Sequence, residues 1–351
     1  MFHLILTACL AASPADCAPI LLPAGDAAEA DACNAGATRI SEAWLAQRPD
    51  LLGQGTACVA NSTLPAATLE EIAPGVHVHL APPIQMEDAP DGRIANLGVV
   101  IGERVAVIDA GVSRAEGQAL YVAVRRLTDR PISHLVLTHL HPDHILGADV
   151  FAEAGAEIVT HDAFAGALEV RGPVYLENVQ RLYPPVEWIG TGLPVVDRPV
   201  AATERLDLGG RELILTPHPP AHSESDLTAH DTATATLFAG DLLFRELTPV
   251  VDGSLTGWLD WMAAEPVPQP RLVVPGHGPV AQGWNDASGP QRHFLQALAA
   301  SVRSQIAASV PMSQAVEAVA AALQPLAAGW NDYDATVRRN ATAAYKELEW
   351  E

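Results

Sequence analysis

Apolar residues recur along this chain with two different periods, and the places where one gives way to the other predict its elements. From Gly75 to Leu80 the order Gly-Val-His-Val-His-Leu alternates as a half-buried strand does. Leu97 to Ile101 and Arg104 to Asp109 are two further apolar runs joined at Gly102-Glu103, the pattern of a hairpin. Ser113 to Leu127 shifts to intervals of three and four, which predicts a helix, and Ile132 to Leu137 is a β-branched strand running directly into Thr138-His139. A helix is expected near Asp143 to Phe151, with strands at Glu157 to Thr160, Leu206 to Thr216, Thr234 to Ala239 and Arg271 to Val274. Beyond Gly278, the segments Gln291 to Ala308, Met312 to Leu323 and Asp334 to Glu351 place Ala, Leu and Val at helical intervals. Strands mixed with helices imply sheets covered by helices, an α/β fold whose last helices cap the core.

Residues 1–65 read differently. They show no strong strand pattern, are rich in Ala, Pro and Cys, and end in the turn-forming cluster Asn61-Ser62-Thr63-Leu64-Pro65. Three units are therefore expected: a small Cys-containing module (1–65), a main domain (66–285) and a C-terminal helical extension (286–351). A length of 351 residues suits one large domain with smaller additions. All the cysteines, Cys9, Cys17, Cys33 and Cys58, fall in the module, as in a disulfide-stapled unit made in an oxidising compartment. Sequence does not choose among the pairings, and reduced, buried thiols are the alternative. Met1 to Ala12 has the apolar character and length of a leader's hydrophobic region but no preceding Lys or Arg, and Leu6-Thr7-Ala8-Cys9 resembles a short lipobox. Cleavage near Ala12 would remove Cys9 and leave an odd cysteine. No other stretch approaches the ~18 apolar residues of a membrane span.

The formal charge of −22, from 42 acidic against 20 basic residues, changes the picture of the partner. A phosphate backbone would be repelled, so nucleic acid is a poor substrate, and a cationic or neutral small molecule fits the overall field better. The same charge also serves simple solubility.

The chemistry concentrates in Thr138-His139-Leu140-His141-Pro142-Asp143-His144, between a predicted strand and a predicted helix. Alternate residues of an extended segment point the same way, so His139 and His141 can converge on one ion while the following turn carries Asp143 and His144 towards another. Imidazole nitrogen with carboxylate oxygen suits zinc, with iron or manganese the other ions such donors accept. No Gly-x-Ser-x-Gly elbow and no phosphate-cradling glycine loop is present. His218, in Thr-Pro-His-Pro-Pro, is the rival to His222; His77, His79, His134, His161 and His293 read as structural. Trp258 and Trp261 are candidates for a pocket wall or for core packing.

The His-x-His-x-Asp-His run, followed at long intervals by His222 in Ala-His-Ser-Glu-Ser-Asp-Leu, Asp241 in Ala-Gly-Asp-Leu-Leu-Phe and His277 in Pro-Gly-His-Gly, resembles the signature of the metallo-β-lactamase superfamily. Asn96 and Val107-Ile-Asp109-Ala-Gly111 resemble the family's first hairpin, and the likeness spans residues 70–280. The resemblance implies an αββα sandwich with two metal ions at one edge. His139, His141 and His222 would hold one ion, Asp143, His144 and His277 the other, and Asp241 both. It further implies a shared hydroxide as nucleophile, oriented by Asp143, acting on an ester, thioester, lactone or amide. An Asp at position 241 resembles the glyoxalase II and lactonase-like branches more than the lactamases, which usually carry Cys or Ser there. The Cys-bearing module, the stretch from Gly240 to Trp258 and the Arg338 to Tyr345 tail resemble the SoxH-like quinoprotein relay system zinc metallohydrolases, which implies a periplasmic protein with a redox partner; the cytoplasm is the alternative location. A mononuclear iron oxygenase resembling the persulfide dioxygenases, a β-lactamase and a non-enzymatic metal-binding accessory are the competing readings.

Overall fold

The computed structural model describes residues 1–351: an N-terminal module docked on one large sandwich whose outer layer includes the C-terminal helices. The N-terminal module is not the strand-poor region expected from its sequence. It comprises β1 (Phe2–Leu10), β2 (Ser13–Ala27), α1 (Ala30–Leu45) and β3 (Leu51–Ala60), with β1 in the middle of an antiparallel sheet ordered β2-β1-β3. Leu4, Leu6 and Ala8 face the module's own core with Trp44 of α1, while Ile5 on the opposite face packs towards the main domain. A strand covered on both faces loses its alternation and reads as a continuous apolar run, hence its likeness to a leader. Removing Met1 to Ala12 would take out that middle strand. The pairing left open by the sequence is Cys9–Cys17 and Cys33–Cys58, with no free thiol.

The main domain starts with β4 (Glu70–Ala73), β5 (Val76–His79), β6 (Leu97–Ile101), β7 (Val105–Ile108), α2 (Arg114–Leu127), β8 (Ile132–Val136), α3 (Pro142–Ile145), α4 (Asp149–Glu153), β9 (Glu157–His161), α5 (Phe164–Leu182), α6 (Pro185–Trp188) and β10 (Arg198–Val200). The strands form one sheet in the order β10-β9-β8-β7-β6-β5-β4. The second sheet, β11-β12-β13-β14-β15-β16, is built from β11 (Glu204–Asp207), β12 (Glu212–Pro217), β13 (Leu227–Asp231), β14 (Thr236–Phe244), β15 (Leu272–His277) and β16 (Ala281–Gln282), with α7 (Leu255–Ala263) between β14 and β15. Helices α8 (Trp284–Ala307), α9 (Met312–Leu323) and α10 (Tyr333–Leu348) complete the chain.

Three cores stack through the domain and define the αββα sandwich. Val107, Leu120, Leu135 and Phe151 lie between the first sheet and its helices; Ile108, Val136, Leu215 and Phe238 lie between the sheets; Leu237, Leu243, Phe294 and Val337 lie beneath α7–α10. Consecutive residues of one strand therefore serve different cores, as Val107 and Ile108 do. Gly98 permits the sheets to meet, since a Cβ there would stand 2.3 Å from Phe238. The C-terminal helices are thus the outer layer over the second sheet, their residues sharing a core with β14 and β15.

Helix α5 was not expected from the sequence, because Gly166, Gly172 and Pro173 inside it argue against a helix. Strand β13 and helix α7 were also missed, and the helix expected from Asp143 to Phe151 is broken into α3 and α4. The N-terminal module docks through buried polar contacts. Arg114, fully buried, donates to the Leu21 carbonyl at 3.0 Å and to Glu153, which also accepts from Trp44 Nε1 at 2.7 Å.

Candidate metal centre

At one edge of the sandwich the structure brings together all seven residues singled out in the sequence. His139, His141, His222 and Asp241 form one group whose donor atoms lie within 4.8 Å of one another, and Asp143, His144 and His277 form a second. Asp241 faces both groups. Its Oδ2 is 3.6 Å from His139 Nε2 and 3.4 Å from His222 Nε2, and its Oδ1 is 3.2 Å from both His144 Nε2 and His277 Nε2.

Each element delivers its residue for a local reason. Strand β8 ends at Val136 and the chain continues through Thr138, whose backbone N–H donates to Asp109 Oδ1 at 2.7 Å and whose hydroxyl donates to Asp109 Oδ2 at 2.8 Å. Asp109 closes β7 with φ of 60°, a left-handed conformation that Asp tolerates better than most residues. Its Oδ2 also accepts from His144 Nδ1 at 2.8 Å, which leaves Nε2 turned inward. His277 Nδ1 donates to the Ile94 carbonyl at 2.9 Å, His222 Nδ1 to the Val250 carbonyl at 3.0 Å, and His141 Nε2 to Asp252 Oδ2 at 2.9 Å. Outer partners of this kind fix the tautomer and the direction of the inward nitrogen. Asn96 holds the loop before His277 by donating to the Pro275 and Gly278 carbonyls. Gly276 is required for space, as a Cβ would fall 1.8 Å from Asp241 Oδ1.

The donor set fits cations. With their outer nitrogens protonated, His141 Nδ1 and the Nε2 atoms of His139 and His222 present lone pairs to one another at 3.1 and 2.9 Å, an arrangement no hydrogen relieves. His144 Nε2 and Asp241 Oδ1 are buried without a hydrogen-bond partner, and unpaired buried polar atoms are destabilising unless something meets them. Burial followed by the neighbouring His144 holds His139 well below the ordinary imidazole range, and burial brings His222 down to about 3. Burial opposes the ionised form of Asp241, but His277, His144 and His139 outweigh it and keep the carboxylate charged. Burial opposes the charge on His144 and His277, but Asp241 outweighs it and raises both, so these two would give up a proton to a bound ion, neutral imidazole and ionised carboxylate being the ligating forms.

The cluster opens into a cavity of about 230 Å³ whose wall includes Phe244, Leu247, Val250, Arg171, Asp252 and Arg339. Phe244 stacks on the His277 ring at 5.1 Å. Trp258 is wholly buried behind His222 at 5.3 Å and donates to the Leu242 carbonyl, while Trp261 packs against His218 and Trp284, so both are packing residues. His218 lies outside the donor groups and bonds Thr228. His79, His134 and His161 bond the Thr68 carbonyl, Ser133 and the His218 carbonyl respectively, and His77 is buried in β5 rather than on the strand surface. Arg171 and Tyr175, which line or flank the site from α5, were missed because their helix was; their i, i+4 spacing was the available signal.

A model of the metallo-beta-lactamase superfamily matches residues 90–277, more than half of the chain. The chain belongs to the metallo-beta-lactamase superfamily. A linear primary-alkylsulfatase of Pseudomonas sp. (strain ATCC 19151) is 37% identical over 66 residues, covering 19% of this chain and 10% of that protein. Among solved structures, a stereoselective inverting sec-alkylsulfatase from Pseudomonas sp. superposes with a TM-score of 0.60 at 16% identity over 80% of this chain and 50% of that one. A beta-lactamase domain protein from Burkholderia ambifaria gives 0.60 at 20% identity over 82% and 89% of the two chains. The chain thus spans about half the length of the sec-alkylsulfatase and a tenth of the primary one is matched, and the structural likenesses are likenesses of fold.

Proposed function

We propose that this protein is a hydrolase that works with two divalent ions, zinc first among them, on an ester, thioester, lactone or amide. The observation that carries the reading is Asp241, whose two oxygens face two separate groups of inward-pointing donors. His139, His141 and His222 would hold one ion and Asp143, His144 and His277 the other, with Asp241 common to both. When bound, such ions lower the pKa of water towards neutrality and polarise the bond under attack.

The chain's own residues do the rest. Asp143 turns Oδ2 towards His144 and His277, each at 3.4 Å, which leaves Oδ1 to orient the attacking water and take its proton. Asp109, Asp252 and the carbonyls of Ile94 and Val250 keep the imidazoles aimed, and Phe244, Leu247 and Val250 exclude bulk water from one wall. No side-chain nucleophile is needed. The two disulfides support an oxidising compartment, the periplasm in the SoxH-like reading, with service to a quinoprotein or sulfur-oxidation system and its redox partner as the finer proposal.

Elemental analysis of the purified chain and of His139→Ala, alongside a screen of carboxylic esters, thioesters, lactones, amides and sulfate esters, tests this. Two zinc ions per chain, fewer in the variant, with matching loss of hydrolysis, is the expected result. One iron per chain with oxygen consumption would replace it by the oxygenase reading.

A further inference from the structure

We propose that the cavity above the donor cluster takes a substrate bearing a carboxylate or sulfo group, and that Arg339 is the residue that reads it. The inference deepens the hydrolase reading and rests on it for the word substrate. It starts from three consecutive residues of α10. Arg338 is braced on the surface, donating to Glu317 at 3.0 Å and to the Asp334 carbonyl at 2.7 Å. Asn340 is fully buried and bonds the loop at the cavity wall, donating to the Pro249 carbonyl at 2.7 Å and accepting from the Val251 N–H at 2.9 Å. Arg339, between them, lines the cavity, is solvent-exposed, and takes part in none of the chain's ion pairs or side-chain hydrogen bonds.

Its position is therefore fixed by the neighbour while its charge is unused by the fold. Arg39, Arg271, Arg292 and Lys346 also lack such partners, but of these unpaired bases only Arg339 lines the cavity. The other arginine of the cavity, Arg171, is already committed: it pairs with Asp252 at 2.6 Å and lies over the Tyr175 ring. Asp252 in turn accepts from His141, which leaves Glu87, exposed on the rim, as the remaining carboxylate outside the donor cluster. The overall charge pointed to a cationic or neutral substrate. Distant surface carboxylates are screened over ~8 Å at physiological ionic strength, so the guanidinium within reach of the ligand decides. A guanidinium presents a planar fork that matches a carboxylate or sulfo group with two parallel bonds, and such charge-assisted contacts are the strong ones.

Calorimetric titration with benzoate, benzenesulfonate and neutral benzamide, on zinc-loaded and on EDTA-treated protein, reads the idea directly. Arg339→Ala is expected to weaken the anion that binds by about tenfold, the low end for a hydrogen-bonded charge, in both preparations, to leave benzamide unchanged, and to keep the zinc content of the wild type. Arg339→Lys should recover part of the loss. Preference for benzoate or for benzenesulfonate assigns the anion. Equal anion affinity in wild type and Arg339→Ala, or an equal loss for benzamide, overturns the proposal. Loss of anion affinity in a chain that hydrolyses none of the screened esters, thioesters, lactones or amides keeps this inference and removes the hydrolase reading.

Discussion

Asp143, His144 and His277 are steadied from inside the sandwich, whereas His141 and His222 lean on a loop that the last helix holds. On the first side the supports are Asp109 at the end of β7, and Ile94 and Asn96 just before β6. Strand ends already pinned in a ladder need only one further bond to aim a side chain. On the second side, the Val250 carbonyl and the Asp252 carboxylate do the aiming from residues 248–254, a segment outside any strand. That loop is clamped from the C-terminal layer: Asn340 takes both Pro249 and Val251, the Asn331 carbonyl accepts from Thr248, and Glu347 accepts from Ser254, Leu255 and Thr256. Half of the centre thus depends on helix residues roughly 120 to 200 positions later in the chain than the histidines they serve. The lesson is that the C-terminal helices belong to the site as well as to the core.

The sharpest break should come from the residue the two sides share. Asp241→Ala removes the carboxylate that faces both groups, and metal content is expected to fall at both, with hydrolysis dropping to background; retention of two ions would show that the groups are independent. Asp109→Ala strikes chiefly the inner side, where it aims His144 directly, and reaches the outer side only through Thr138 beside His139. Loss of an outer partner of a ligating His typically weakens metal binding ~10–100-fold, so one of two ions should be released at much lower chelator concentration while the other stays.

Asn340→Ala tests the outer side. It strips the loop's partners at Pro249 and Val251, at roughly 1–3 kcal/mol for a buried group left unpaired. The ion lost first should then be the one near His141 and His222, distinguishable from the Asp109→Ala case by histidine resonances in NMR. Equal loss at both positions would mean that the division drawn here is wrong.

Replacing Cys33 and Cys58 by Ser opens a loop with a separation of 25 residues, which chain-entropy arithmetic puts at about 3.5 kcal/mol. The module's unfolding should move to lower denaturant while zinc content holds, because no module residue is among the donors. The smallest effect concerns Glu347. Burial opposes its charge, but bonds from Thr256, Leu255 and Ser254 hold its carboxyl below the ordinary range. A depressed folded value contributes stability above the unfolded value of about 4.5, lost as pH falls through the folded one. Glu347→Gln should therefore lower thermal stability slightly at neutral pH, by less than Asn340→Ala does, and flatten its acid limb.

Much of this was legible from residue order. The period-two run at Val76–His79, the two apolar runs joined at Gly102-Glu103, the helical spacing of Arg114–Leu127, and the dense His139–His144 segment are local patterns carried by a few consecutive residues. Two elements were hidden: β1, whose continuous apolar run has leader-like length and no strand alternation, and α5, which Gly and Pro interrupt.

The sequence by itself determined the donor inventory, the strand-to-turn placement of His139, His141, Asp143 and His144, and the superfamily, because close spacing along one segment limits where side chains can point. Only the tertiary structure decided the disulfide pairing, the burial of Trp258, and the free guanidinium of Arg339. Each of these depends on which distant segments share a face, and separation along the chain carries no record of proximity in space.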